Sequence, residues 1–351
     1  MPEEEDLPLL NPKDHVLEQS SRILVSPFES QVAENPQAVA VCCGGESLSY
    51  QELNAQSDRL AVQLRSAGLT ANEGVAICLP GGIHLLVAIL AVWKSAGVYL
   101  PLDPAYPQAR LDLAMEVAQV RFRIDALTFE KSRVHVIERE ESLAVSESLA
   151  WIILTSGSTG RPKAAAVRVA AVHNLLSWYS QQFLTAESRV LVLSQSGFDL
   201  TQKNLMAPLW VGGCVVFPSA QENSPKAQLA LIQNAQIRVL NLAPSRFYPL
   251  LEACVGAWHH LDNLQTVIFG GEAVQMNRLQ GWLDVTDRCQ IVNSYGPTEC
   301  TDIATAYVSA DPRGEGASLC MGTAIPGVQC RVRDVRGRSL PIGAAGELWI
   351  F

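Results

Sequence analysis

Residues 151–167 read WIILTSGSTGRPKAAAV. Four bulky residues lead into Thr155, Ser156, Gly157, Ser158, Thr159 and Gly160, and Arg161, Pro162 and Lys163 follow. Such a loop offers backbone N–H groups, hydroxyls and a cation together, the combination that cradles a polyphosphate. It is not a Walker A loop, in which Gly-Lys-Ser/Thr opens a helix directly. Here Pro162 separates Arg161 from Lys163, and Ala164 follows the lysine. Taken alone, the string also fits a flexible surface loop between two strands. A second string, NSYGPTE at 293–299, sets a flat amphipathic ring, a hydroxyl and a carboxylate around a Gly-Pro turn. Its plainer reading is a turn with a solvated glutamate.

Such groups need a scaffold, and the composition provides for one. The chain has 351 residues, 48% hydrophobic and 17% charged, enough to bury a sizeable core in two or three linked lobes. A net charge of −9 argues against a broad polyanion-binding surface, so nucleic acid is not an expected partner and any phosphate site must be local. Nine scattered cysteines with no CxxC pair read as reduced thiols of a cytoplasmic protein. His259 and His260 are adjacent, a poor arrangement for a shared metal, and no structural zinc is expected. The apolar run HLLVAILAVW is stopped by Lys94, well short of the ~20 residues that span a bilayer. No basic segment followed by an apolar core opens the chain, so neither a signal peptide nor a membrane partner is expected.

Short β-branched runs alternate with helical stretches from residue 26 onward. AVAVCC and GVAICLP read as strands, as do RVLVLS, CVVFPS, IRVLNLA, LQTVIFGG and QIVNSYG. Between the first two, residues 50–68 read as an amphipathic helix on Leu53, Leu60, Val62 and Leu64, with Gly68 at its C-terminal end. The alternation predicts an α/β fold of two helix-covered, mainly parallel sheets. The final segment, VQCRVRDVRGRSLPIGAAGELWI, switches to strand, polar turn, strand, as the start of a small β-barrel-like subdomain would. The expected division is a linker at 1–22, a first α/β subdomain at 23–190, a second at 191–325 and the β subdomain from 326 to 351.

Four strings in order carry a resemblance: GVYLPLDPAYPQARL at 97–111, LTSGSTGRPK at 154–163, NSYGPTE at 293–299 and GELWI at 346–350. Together they closely resemble the core motifs of the adenylation domains of nonribosomal peptide synthetases, within the acyl-adenylate-forming superfamily. The resemblance runs through almost the whole chain from about residue 26. It implies ATP-dependent activation of an amino acid: the carboxylate attacks the α-phosphorus of ATP, giving an aminoacyl-adenylate and pyrophosphate. The acyl group then passes to the thiol of a peptidyl carrier protein. ATP and Mg²⁺ are the implied cofactors, and a condensation domain and an MbtH-like protein are further implied partners.

Carried over motif by motif, the resemblance places Thr155, Ser156, Gly157, Ser158, Thr159, Gly160 and Lys163 around the β- and γ-phosphates. Tyr295 would lie against the adenine, Thr298 on the α-phosphate and Glu299 on Mg²⁺, with Thr298, Glu299 and Lys163 as the catalytic set. Gly271, Glu272 and Ala273 in GGEAV, and Asn293 and Gly296 beside Tyr295, are further cofactor-side candidates. In SGFDLTQKN, Asp199 would pair with the substrate ammonium, or else only cap the helix that follows. The side-chain pocket would be lined by Leu200, Lys203, Asn241, Ile268, Gly270, Ser294, Asp302 and Ile303. If Lys203 and Asp302 face each other they neutralise one another, leaving Asn241 or the aliphatic groups to read the side chain. If they point separately into the pocket, Lys203 favours an acidic or amide side chain and Asp302 a cationic one. A lysine at this position resembles acid-selecting members of the family, so the lean is to glutamate or a similar polar amino acid, with valine or leucine as the runner-up.

Two departures accompany the resemblance. Ala164 stands where a glycine commonly follows the loop lysine. The ribose-binding aspartate, the hinge and the C-terminal mobile domain with its catalytic lysine would all lie beyond Phe351, so weak activity of the chain alone is expected. Two other readings stay open: an acyl- or aryl-CoA ligase of the same superfamily, and a non-catalytic nucleotide-binding module. Asp199 speaks against the first, because aryl and fatty acids carry no ammonium.

Overall fold

The computed structural model describes residues 12–131, 133–137, 147–156, 161–286, 288–309, 311–313 and 316–351, with side chains from residue 20 onward. The periodic stretch after Ser49 forms the helix Tyr50–Ser66. Ser49 and Glu52 cap it reciprocally: the Glu52 amide donates to the Ser49 hydroxyl at 3.2 Å, and the Ser49 amide to the Glu52 carboxylate at 2.8 Å. Two amides beyond the reach of any helical carbonyl are satisfied in this way. Gly68 follows with φ +90°, a left-handed turn that costs glycine little. Leu53, Leu60 and Leu64 are buried. Val62, expected on the same stripe, is 55% exposed, because two residues from both Leu60 and Leu64 is the far side of a helix.

The larger sheet has nine strands among the described residues. In spatial order they are Thr323–Ala324, Thr305–Ser309, Gln290–Tyr295, Thr266–Phe269, Val239–Leu242, Arg189–Leu191, Cys214–Phe217, Val39–Cys43 and Glu46–Ser49. Pairing is parallel in the middle and antiparallel at both ends. The smaller sheet takes His135–Val136, Phe122–Ile124, Gly74–Cys78, Val98–Leu102, Leu149–Thr155 and Lys163–Arg168, again parallel at the centre. Central strands such as Gly74–Cys78 and Val98–Leu102 are buried along their whole length, as parallel strands covered by helices must be. Cys330–Arg333 and Glu347–Ile350 form the expected antiparallel pair, with no closed barrel among the described residues.

The sheets do not divide the chain at residue 190. Val41 pairs with Val215 and Cys43 with Phe217, so the strand pair at 39–49 belongs to the larger sheet. The strand Arg189–Leu191 straddles the expected boundary. Parallel pairing is fixed by contacts far apart in sequence, and local pattern carries no sign of it. The expected linker also ends early: the helix Pro12–Glu34 crosses residue 22 and buries Leu24, Val25 and Phe28.

One apolar core joins the two sheets, running from Leu24 through Trp93, Tyr99 and Trp151 to Val292. Helix Ile83–Lys94 lies within it, with every residue from Leu85 to Trp93 buried, which accounts for the apolar run without a bilayer. No helix among the described residues is long and apolar enough to cross a membrane.

Candidate functional site

Helix Asp199–Trp210 organises the site. Every residue from Thr201 to Trp210 is buried, so the helix works as a rod inside the core. Gln202 fastens its first turn, donating to the carbonyls of Ser196 at 2.6 Å and Phe198 at 2.8 Å. Tyr99, from the smaller sheet, donates its hydroxyl to the Gln202 amide oxygen at 2.8 Å. The segment that carries Asp199 is thereby tied to both sheets. Asp199 accepts from the Leu200 amide at 2.7 Å through Oδ1 and from the Thr298 hydroxyl through Oδ2. It therefore belongs to the helix start and to the NSYGPTE loop together.

One turn further on, Lys203 is wholly buried. Its Nζ lies 2.5 Å from Asp302 Oδ2 and donates to the Leu200 carbonyl at 3.1 Å. Burial pushes the Asp302 carboxyl up to about 6, against the pull of Lys203 and with a further push from Asp199. Beside the pair, Asn241 Nδ2 donates to Asn204 Oδ1 at 2.9 Å. Asn204 Nδ2 in turn donates to the Asn241 carbonyl at 3.1 Å. Asn241 Oδ1 is buried with no hydrogen-bond partner among the described residues, an arrangement that costs stability unless something donates to it.

The loop after strand Gln290–Tyr295 brings the remaining groups close. Ala304 N donates to the Tyr295 carbonyl at 2.8 Å, closing the loop on itself. A Cβ added at Gly296 would sit 2.2 Å from the Asp302 carbonyl oxygen, so only glycine allows this approach. Thr301 takes φ +82°, a conformation rarely adopted by a β-branched residue and typical of functional loops.

The WIILT string forms strand Leu149–Thr155, which pairs antiparallel with Lys163–Arg168, Thr155 opposite Lys163. Gly157, Ser158, Thr159 and Gly160 lie outside the described residues. Lys163 and Ser156 are exposed. Strand Lys163–Arg168 packs against the 3₁₀ turn Thr298–Cys300, which sets the lysine strand beside Glu299. A cavity of about 310 Å³ has Thr155, Ser156, Gly197, Asp199 and Thr298 in its wall, with Tyr106 and Arg110 opposite in sequence origin. Both come from the GVYLPLDPAYPQARL string.

Other expected residues sit differently. Glu272 is exposed, and its carboxylate accepts from the Ser245 amide at 3.1 Å and the Ser245 hydroxyl at 2.8 Å, at the start of helix Pro244–Cys254. Gly271 and Ala273 beside it are exposed, and Tyr295 is 41% exposed. Asn293 donates to the carbonyls of Cys320 at 2.8 Å and Leu319 at 3.3 Å, which ties up its side-chain NH₂. Ile303 packs with Leu175 and Ile325. Ile268 is fully buried opposite Asn241 in the sheet. Gly270 faces Leu200 and the Ser294 hydroxyl, where a Cβ would come within 2.9 Å of each. Ser294 itself donates to the Phe269 carbonyl at 2.7 Å.

The chain is similar to known proteins in sequence and in fold. The model of the family described as AMP-binding enzyme matches residues 28–351. The dimodular nonribosomal peptide synthase of Bacillus subtilis is 31% identical over 93% of this chain and 15% of its own length. The AMB antimetabolite synthetase AmbB of Pseudomonas aeruginosa is 33% identical over 94% of this chain and 27% of its own. The chain thus spans less than a third of these curated relatives. Among solved structures, the NpsA N-terminal subdomain of Klebsiella oxytoca in complex with 3-hydroxyanthranilyl-AMSN superposes with a TM-score of 0.79. It is 20% identical, covering 93% of this chain and 86% of that one. The nonribosomal peptide synthetase FmoA3 gives 0.82 at 22% identity, covering 97% and 39%. Two mainly parallel sheets joined by one core, the four ordered motifs and a family match across nearly the whole sequence lead to one conclusion: the chain belongs to the AMP-binding enzyme family.

Proposed function

We propose that the chain activates an amino acid as its aminoacyl-adenylate, as the adenylation unit of a nonribosomal peptide synthetase. The observation that carries this reading is Asp199, a carboxylate at the mouth of a buried helix that shares a cavity with Thr155, Ser156 and Thr298. A carboxylate there suits a substrate with an α-ammonium, whose own carboxylate then faces the phosphates. Thr298, now donating to Asp199, is the hydroxyl placed to turn to the α-phosphate once an ammonium takes its place. The work asked of the protein is positioning and charge stabilisation on the phosphates.

Lys163 and Glu299 fit the nucleotide side. Both are exposed, and neither makes an ion pair among the described residues. A lone carboxylate is an adequate protein ligand for Mg²⁺, which usually keeps waters and takes the rest of its shell from substrate phosphates. Bound there, the ion would offset phosphate charge. Tyr295, partly exposed beside Gly296, supplies a flat face for adenine, with Gly271, Glu272 and Ala273 along the neighbouring strand end. The acyl acceptor would be the thiol of a peptidyl carrier protein, with a condensation domain and an MbtH-like protein as accessory partners.

The Lys203–Asp302 contact bears on the side chain that is read. With its charge met by Asp302, Lys203 does not offer a free cation to an acidic substrate, and the lean to glutamate gives way to a neutral side chain. Asn241 Oδ1 would accept from a side-chain donor, and Ile268 and Leu200 would contact an aliphatic one. Amino-acid-dependent exchange of labelled pyrophosphate into ATP, screened over amino acids, tests the proposal. Exchange driven by one or a few neutral amino acids supports it. Exchange driven only by an aryl or fatty acid would replace it with a CoA-ligase reading.

A further inference from the structure

The GVYLPLDPAYPQARL string forms strand Val98–Leu102, a turn and the helix Gln108–Val117. The turn is firmly built. Asp103 accepts from the Ala105 amide at 2.9 Å through Oδ1 and from Gln195 Nε2 at 2.9 Å through Oδ2. Gln195 follows a strand of the larger sheet, so this contact ties the turn across to the opposite wall. Tyr106 N then donates to the Asp103 carbonyl at 3.1 Å, and Arg110 N to the Pro107 carbonyl at 2.8 Å. The Arg110 guanidinium carbon lies 3.8 Å from the centre of the Tyr106 ring.

Arg110 is exposed, and no carboxylate among the described residues pairs with it. Both Arg110 and Tyr106 line the cavity that also holds Thr155 and Ser156, the first two residues of the phosphate loop. The carboxylate in the same wall, Asp199, is already engaged by Leu200 and Thr298. A guanidinium with no carboxylate partner among the described residues, seated over the Tyr106 ring in the wall of a cavity that also holds Thr155, Ser156 and Thr298, is suited to two parallel hydrogen bonds with phosphate oxygens. Stacking on Tyr106 restricts the side chain before the ligand arrives, so less rotamer entropy is lost on binding.

Resting on the nucleotide reading above, we propose that Arg110 is a further contact of the triphosphate tail, on the β- and γ-phosphates, with Tyr106 as its positioning residue. Attack of the substrate carboxylate on the α-phosphorus breaks the bond to the oxygen bridging to the β-phosphorus. The electron pair leaves with pyrophosphate, and a guanidinium on that group offsets the added charge. Lys163 and Arg110 would then hold the leaving group from two separate elements, one at a strand start and the other on the first turn of a helix.

The test compares ATP with AMP, which lacks the two outer phosphates. Calorimetric titration of wild type, Arg110→Gln, Arg110→Lys and Tyr106→Leu with each nucleotide, in the presence of Mg²⁺, gives the answer. Arg110→Gln is expected to raise the Kd for ATP about tenfold, ~1.4 kcal/mol, while that for AMP stays within about twofold. Arg110→Lys should recover part of the loss, and Tyr106→Leu should weaken ATP alone, by less than Arg110→Gln. Arg110 is exposed, so unfolding midpoints should match wild type. Equal losses for ATP and AMP, or unchanged ATP affinity in Arg110→Gln, would overturn the assignment while leaving the nucleotide site intact. A wild-type chain that binds neither nucleotide would remove the site reading itself, and this inference with it.

Discussion

Lys203 and Asp302, 99 residues apart in sequence, meet at 2.5 Å, and the lysine is wholly buried. The contact joins the helix carrying Asp199 to the loop carrying Thr298 and Glu299. Removing one member leaves a buried charge uncompensated, which typically costs ~3–5 kcal/mol, whereas replacing both with apolar groups is often close to neutral. Lys203→Met and Asp302→Leu should each lower the denaturant midpoint strongly, and the double variant should regain most of the loss. Strictly additive effects in urea unfolding would mean the pair is not coupled.

The same pair gives a pH signature. Asp302 is raised to about 6 by burial, so the folded chain holds this proton more tightly than the unfolded chain does. Its contribution to stability is then fully present below the unfolded value and is lost as pH rises through about 6. Glu52, Asp311 and Asp334 are lowered by hydrogen bonds from their neighbours and work in the opposite sense. Subtracting the stability of Asp302→Asn from that of wild type removes their share. The difference should fall between about pH 4 and about pH 7; a flat or rising difference contradicts the direction assigned to Asp302.

Lys163 and Glu299 are exposed and free of ion pairs among the described residues. Lys163→Ala and Glu299→Ala should leave thermal unfolding unchanged and each weaken Mg-ATP by ~1.5–3 kcal/mol, the usual worth of a charge-assisted contact. Titration with ATP checks both. Full affinity in the two variants would take the phosphate and metal roles away from these residues.

Gly296 is the position where the loop is tightest. With its Cβ 2.2 Å from the Asp302 carbonyl, Gly296→Ala must move the backbone on one side or the other. We expect a loss of ~1–3 kcal/mol of stability, together with weaker binding of both ATP and amino acid. A variant as stable as wild type with unchanged affinities would show that the loop does not depend on this approach.

What was legible in the sequence and what was not follow physical lines. Helix Tyr50–Ser66 was readable because its apolar stripe and Gly68 are local signals; Val62 was misplaced because a hydrophobic residue need not sit on the stripe. The parallel α/β class followed from alternation, yet the place of Val39–Cys43 beside Cys214–Phe217 did not, since nothing in five residues encodes a partner some 170 positions away. The motifs pointed to Asp199, Lys203, Thr298 and Asp302 and left open whether Lys203 closes on Asp302, but gave no sign of the hydrogen bond between Asp199 and Thr298. Those contacts depend on how a loop crosses over a helix end. Gln202 and Tyr99, which fasten that helix, lie inside the strings SGFDLTQKN and GVYLPLDPAYPQARL, but nothing local signals that they pair with each other.

The central claim, that the chain takes an amino acid and a nucleotide as a joined adenylate with Asp199 on the ammonium, is tested most directly by binding without turnover. The chain should be titrated with a panel of non-hydrolysable aminoacyl-adenylate analogues, sulfamoyl adenosine alone serving as reference, for wild type and Asp199→Asn. The account predicts that an analogue with a neutral side chain binds wild type at least about a hundredfold more tightly than the reference, ~2.7 kcal/mol, and that Asp199→Asn removes most of this advantage. Analogues that bind no better than the reference, or an advantage that survives in Asp199→Asn, would contradict it.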